Sequence, residues 1–210
     1  MALDLEEQEQ LATLKAWWKD HGGNVVLVIV VMALAFSGWQ GWRWYQIRQA
    51  SEASALYETL RKAVEAGDLK GVRDSGGALA ENFPNRLQAA MGALAQARFY
   101  FDRGDLKSAK AQLQWVIERS PSAEFRDLAR LRLAMVLLDE KAYDAALAQL
   151  EPPPAAPFVA QYAALKGDIL VEKNDAKQAA AAYRAALDKA PKDDQAFARS
   201  VRMRLEALGG

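Results

Sequence analysis

Few residues in this chain have the types and spacing that chemistry requires. There is no Cys, which excludes a thiol nucleophile, a disulfide framework and a Cys-ligated metal. The single histidine, His21, cannot build a multi-His metal site or orient a Ser/His/Asp triad, and it sits at the head of an apolar run where an interfacial role fits it better. The acids Asp4, Glu6, Glu7 and Glu9 are adjacent along a polar N-terminus and read as a solvated tail rather than a catalytic pair. The Arg-rich "RDLARLRLA", residues 126–134, has the spacing of an amphipathic helix and acids nearby, so it does not read as a nucleic-acid patch. No G-x-G-x-x-G, P-loop, H-E-x-x-H or G-x-S-x-G motif occurs. Lys+Arg and Asp+Glu are both 27, so there is no net charge to draw in a polyanion. The sequence therefore points to non-covalent binding, with no catalytic residue, cofactor, metal or nucleic acid.

Two elements must position any binding residues. The first is "GGNVVLVIVVMALAFSGWQGWRWY", residues 22–45. From Gly22 to Trp42 no residue is charged. As a helix this length spans roughly 31 Å, the thickness of a bilayer's hydrocarbon core. Trp17 and Trp18 precede it, and Trp39, Trp42, Trp44 and Tyr45 close it, as aromatic belts at two membrane surfaces. A cleaved signal fits poorly, because the preceding residues are acidic and no A-x-A site follows. A buried core helix would show a polar face, and this run shows none. The reading is a single uncleaved transmembrane helix in a lipid bilayer, with Leu11, Leu14 and Trp18 at helical spacing before it. Lys15 and Lys19 flank it on one side and Arg43, Arg48, Arg61 and Lys62 on the other. Counted alone, those charges put the large domain in the cytoplasm.

The second element is a repeat. "GDLKSAKAQLQWVIERSP" at 104–121 and "NDAKQAAAAYRAALDKAP" at 174–191 share an Ala five residues after the turn and a Pro seventeen after it. "GDLKGVRDSGGALAENFP" at 67–84 keeps the Gly-to-Pro interval, and "KAYDAALAQLEPPP" from Lys141 keeps Ala146 and Leu150. The turns fall at 67, 104, 141 and 174, spaced 37, 37 and 33 residues apart. That is close to the tetratricopeptide period of about 34. Each turn needs a left-handed residue, each following Asp can cap the next helix, and Ala97, Ala134 and Gly167 should face Ala109, Ala146 and Ala179. The first repeat is weakened by Gly71, Gly76 and Gly77, and "PPP" at 152–154 cuts the third short. Asp193 to Ala207 reads as a capping helix. The fold class is all-α: an N-terminal segment 1–21, a transmembrane helix 22–45, and over 46–210 a tetratricopeptide-like solenoid of about four repeats with a C-terminal cap.

Such arrays bind partners along the first helix of each repeat. Counting back ten, six and three residues from each turn gives Leu94, Arg98 and Phe101; Leu131, Met135 and Leu138; and Ala164, Asp168 and Val171. This surface is mainly apolar and suits an apolar helix or an unfolded segment. Cover by neighbouring helices or by the cap is the other outcome.

The acidic N-terminus, "LKAWWKDHGG" before the span, "GWQGWRWY" after it and a divergent tetratricopeptide domain together resemble the YfgM family, ancillary subunits of the SecYEG translocon in Gram-negative bacteria. The resemblance covers nearly the whole chain. It implies an inner-membrane anchor, a cytoplasmic N-terminus and a periplasmic domain, against the charge count. It further implies association with SecYEG, with the membrane-anchored periplasmic chaperone PpiD and with emerging or unfolded client proteins. It carries no catalytic residues.

Overall fold

The computed structural model describes residues 2–209, with side chains from residue 9 onward. The acids Asp4, Glu6 and Glu7 thus lie outside the described side chains, and Glu9 is exposed. Among the described residues the chain is helical throughout: α1 (Ala2–Ala66), α2 (Leu69–Asn82), α3 (Leu87–Phe101), α4 (Leu106–Arg119), α5 (Ala123–Asp139), α6 (Tyr143–Gln149), a 3-10 turn (Ala156–Phe158), α7 (Val159–Glu172), α8 (Ala176–Lys189) and α9 (Gln195–Ala207). It divides into two compact units, Met1–Ser51 and Glu52–Gly210.

In the first unit α1 is long and apolar enough to cross a membrane. Its large side chains from Val26 to Phe36 are all exposed. A continuous apolar sleeve of this size is unfavourable in water and favourable in hydrocarbon. The flanking aromatics are engaged along the helix. The His21 ring stacks on Trp17 with centroids 5.4 Å apart, and the Arg43 guanidinium lies 5.7 Å over the Trp39 ring. Such cation–π pairs suit the headgroup level, where one end is wet and the other apolar.

The second unit is built on four equivalent turns. Gly67, Gly104, Lys141 and Asn174 all have left-handed backbones, at φ 71, 76, 61 and 60°. Each closes its helix with the same two bonds. At Gly104, its N–H donates to Phe101 O (2.9 Å) while Asp105 N–H donates to Tyr100 O (3.0 Å), and the pattern recurs at the other three turns. This is the Schellman arrangement, which satisfies carbonyls that a helix end would otherwise leave open. Asp105 and Asp175 then cap the next helix, accepting from Ser108 N–H and Gln178 N–H at 3.0 Å. Ala142 has no such oxygen, and Asp68 makes no side-chain cap.

Five residues beyond each turn, Val72, Ala109, Ala146 and Ala179 are fully buried. Ala97, Ala134 and Gly167 are buried as well. At Gly167 a Cβ would lie 2.4 Å from the Tyr183 ring, so only Gly lets α7 and α8 approach this closely. The core runs as successive clusters: the Ala53–Leu60 segment of α1 with Val72 and Leu79, then α3–α5, then α5–α7, then α7–α9 with Val201. Four helix pairs and a cap thus stack in order, each burying its apolar stripe on the next. The first pair uses the end of α1. That helix has no break at residue 46.

The third pair is truncated as the prolines require. α6 ends at Gln149. The chain beyond it docks back on α5, where the Ala155 N–H donates to Asp127 Oδ2 at 2.8 Å and the Tyr162 hydroxyl donates to Asp127 O at 2.9 Å. Asp127, nearly buried, is thereby satisfied, with Arg130 at 3.4 Å.

Candidate protein-binding face

The first helices of the repeats, α3, α5 and α7, carry the nine residues counted from the turns. Six of them converge in two clefts. Arg98, Phe101 and Met135 line the first, of about 190 Å³, with Ala97, Leu113, Arg132 and Val136. Leu138, Asp168 and Val171 line the second, of about 520 Å³, with Lys141, Tyr183 and Arg204. The other three are placed differently. Leu94 is only 6% exposed and Ala164 is buried, so both serve the core. Leu131 is half-buried against the cluster of Ala134, Ala146, Leu165 and Ile169. Helical spacing puts these three on the same stripe, but neighbouring helices cover them.

The two clefts differ in chemistry. The first has an apolar floor and half-exposed Met135 at its rim. The second is held by a polar network joining three helices. The Tyr183 hydroxyl donates to Asp168 Oδ1 at 2.7 Å, and Arg204 of the cap donates to both Asp168 oxygens at 3.0 and 2.9 Å. Burial, and then the hydrogen bond to Asp168, push the Tyr183 hydroxyl well above its ordinary pKa. The carboxylate of Asp168 is thus committed to the fold and to the cap. Tyr183, Arg132 and Arg204 escaped the count back from the turns. Tyr183 is nine residues after its turn, and its only signal is the Gly167 it packs on. Arg132 falls one residue off the stripe, and Arg204 belongs to the cap. Among the described residues no three His, Asp or Glu side chains gather as a metal site would need.

A family model described as a tetratricopeptide repeat-like domain matches residues 15–210. The ancillary SecYEG translocon subunit of Neisseria gonorrhoeae is 32% identical over 212 residues, covering 99% of this chain and 100% of that protein. This chain belongs to the ancillary SecYEG translocon subunit family. Members from Haemophilus influenzae and Escherichia coli are each 28% identical, over 83% and 85% of this chain and 85% and 86% of their own lengths. The family match includes the apolar stretch as well as the repeats. The two clefts therefore lie in the tetratricopeptide repeat-like domain of a member of this family.

Proposed function

We propose that this chain is a single-pass inner-membrane protein that binds other proteins beside the SecYEG translocon. In this reading residues 1–21 are cytoplasmic, 22–45 cross the bilayer and 46–210 form a periplasmic domain. Its partners are SecYEG, a membrane-anchored chaperone of the PpiD type, and client segments emerging from the channel. The observation that carries the reading is the end-to-end match to a relative named an ancillary SecYEG translocon subunit. The clefts on α3, α5 and α7 supply the binding surface, with Phe101 and adaptable Met135 as apolar contacts. No bond is made or broken. Anchoring raises the local concentration of the face near the channel, so weak contacts become populated.

Gentle detergent extraction tests this. SecYEG and a chaperone co-purify with the intact chain, and Met135→Asp loses the chaperone and client segments without lowering the melting temperature. Met135 is a better probe than Leu131, whose half-buried place in the core would confuse binding with folding. A second reading has one observation in its favour: Arg43, Arg48, Arg61 and Lys62 outnumber Lys15 and Lys19. By the positive-inside rule it makes the chain a cytoplasmic scaffold tethered to the membrane. Protease treatment of spheroplasts decides between them. Cleavage of the repeat domain in spheroplasts but not in whole cells supports the periplasmic reading; protection until the inner membrane is broken supports the scaffold.

A further inference from the structure

Arg132 projects from α5 into the first cleft, half-buried beside Phe101, Leu113 and Met135. The neighbouring arginines are satisfied. Arg126 donates to Ser120 O at 2.7 Å, and Arg130 lies 3.4 Å from Asp127. Arg98, also on the cleft, donates to Asp102 Oδ2 at 2.8 Å. Arg132 makes no hydrogen bond or ion pair with any described residue. Burial, and then the charge of Arg98, push its guanidinium below the ordinary arginine value, and no acid offsets them. It still carries its charge at neutral pH. A guanidinium with five donors, partly removed from water and given no acceptor, is unfavourable by itself and favourable once a carboxylate meets it.

We propose that this cleft recognises an acidic side chain next to a large apolar side chain, within a segment of a partner protein. Charge complementarity selects the acid: two guanidiniums face the cleft, and only one of them is already paired. The apolar wall of Phe101, Leu113 and Met135 selects its neighbour. The volume, about 190 Å³, is below the roughly 300–1,000 Å³ of small-molecule sites and suits side chains of a peptide. The proposal rests on the reading that this face binds protein segments, and it names the chemistry of the segment.

The test uses the full chain in detergent micelles and a fluorescein-labelled peptide, Gly-Ser-Leu-Glu-Phe-Leu-Ser-Gly, blocked at both ends. Its counterparts carry Gln or Lys in place of Glu. By fluorescence anisotropy the Glu peptide binds about tenfold or more tighter than the Gln peptide, as a charge-assisted contact requires, and the Lys peptide binds weakest. Arg132→Met abolishes the difference between Glu and Gln, whereas Arg132→Lys keeps part of it and guards against a folding defect. Arg98→Met reduces the difference less. Equal affinities for the Glu and Gln peptides overturn the proposal. So does tighter binding of an unblocked peptide through its chain end. If no peptide binds, the proposal fails. The wider reading fails with it only if Met135→Asp also leaves co-purification unchanged.

Discussion

The amide of Gln96 occupies the space where a side chain on residue 76 would stand. A Cβ added to Gly76 would lie 2.1 Å from Gln96 Cδ, and Gln96 Nε2 donates to Val72 O at 3.0 Å. The glycine that weakens α2 as a helix is what lets α3 dock on it. Gly77, the next residue, has nothing within 4 Å of an added Cβ beyond its chain neighbours and its own helix backbone. Gly76→Ala is expected to destabilise the domain by about 1–3 kcal/mol through overpacking. Gly77→Ala is expected to stabilise it by about 0.5–1 kcal/mol through helix propensity. Urea titrations of the two variants should move in opposite directions.

Lys141 is the one turn residue of the four with neither Gly nor Asn at a left-handed backbone. A side chain there costs roughly 1–2 kcal/mol. Lys141→Gly should raise the melting temperature, with a gain somewhat below that cost because glycine loses more entropy on folding. Gly104→Ala, at φ 76°, should lower it. Thermal melts of both variants check whether the four turns are equivalent.

Tyr183 predicts how stability depends on alkaline pH. Its hydroxyl pKa is raised on folding, so the folded state holds the proton more tightly than the unfolded state does. The stability from this group is fully present below the ordinary value of 10.0 and is lost as pH rises beyond it. Tyr162, raised chiefly by burial, acts in the same direction. Denaturant midpoints should fall above about pH 10, and less steeply for Tyr183→Phe.

Asp127 ties the proline-rich segment to α5. Asp127→Ala leaves the Ala155 N–H without its acceptor and Arg130 without its partner. A loss of about 1–3 kcal/mol is expected. Limited proteolysis should show faster cutting within residues 151–158 than in the wild type.

Most of this architecture was legible because its signals are local. A left-handed turn demands Gly or Asn, so three of the four turns announced themselves, and register carried the fourth at Lys141. The family was legible in the tryptophans and apolar run around the span. The start of the repeat domain was harder to read, because α1 runs on to Ala66 with no breaker at residue 46. The binding face was legible as a stripe and not as a surface. Leu94 and Leu131 have the right spacing, yet α4 and α6 to α7 cover them. Arg204 reaches Asp168 from the cap, and Arg132 shares a cleft with residues of α3 and α4, placements that periodicity along one helix cannot reveal.

A photo-crosslinking residue at Met135, with Met203 as the control, tests the central claim most directly. Both are exposed, at 51% and 58%, but Met135 lines the first of the two clefts described and Met203 lines neither. In living cells, Met135 is predicted to give adducts with a secretory chain arrested in the translocon or with a membrane-anchored chaperone, and Met203 far fewer. Equal adducts from both positions, or none from Met135, would contradict a binding face on α3 and α5.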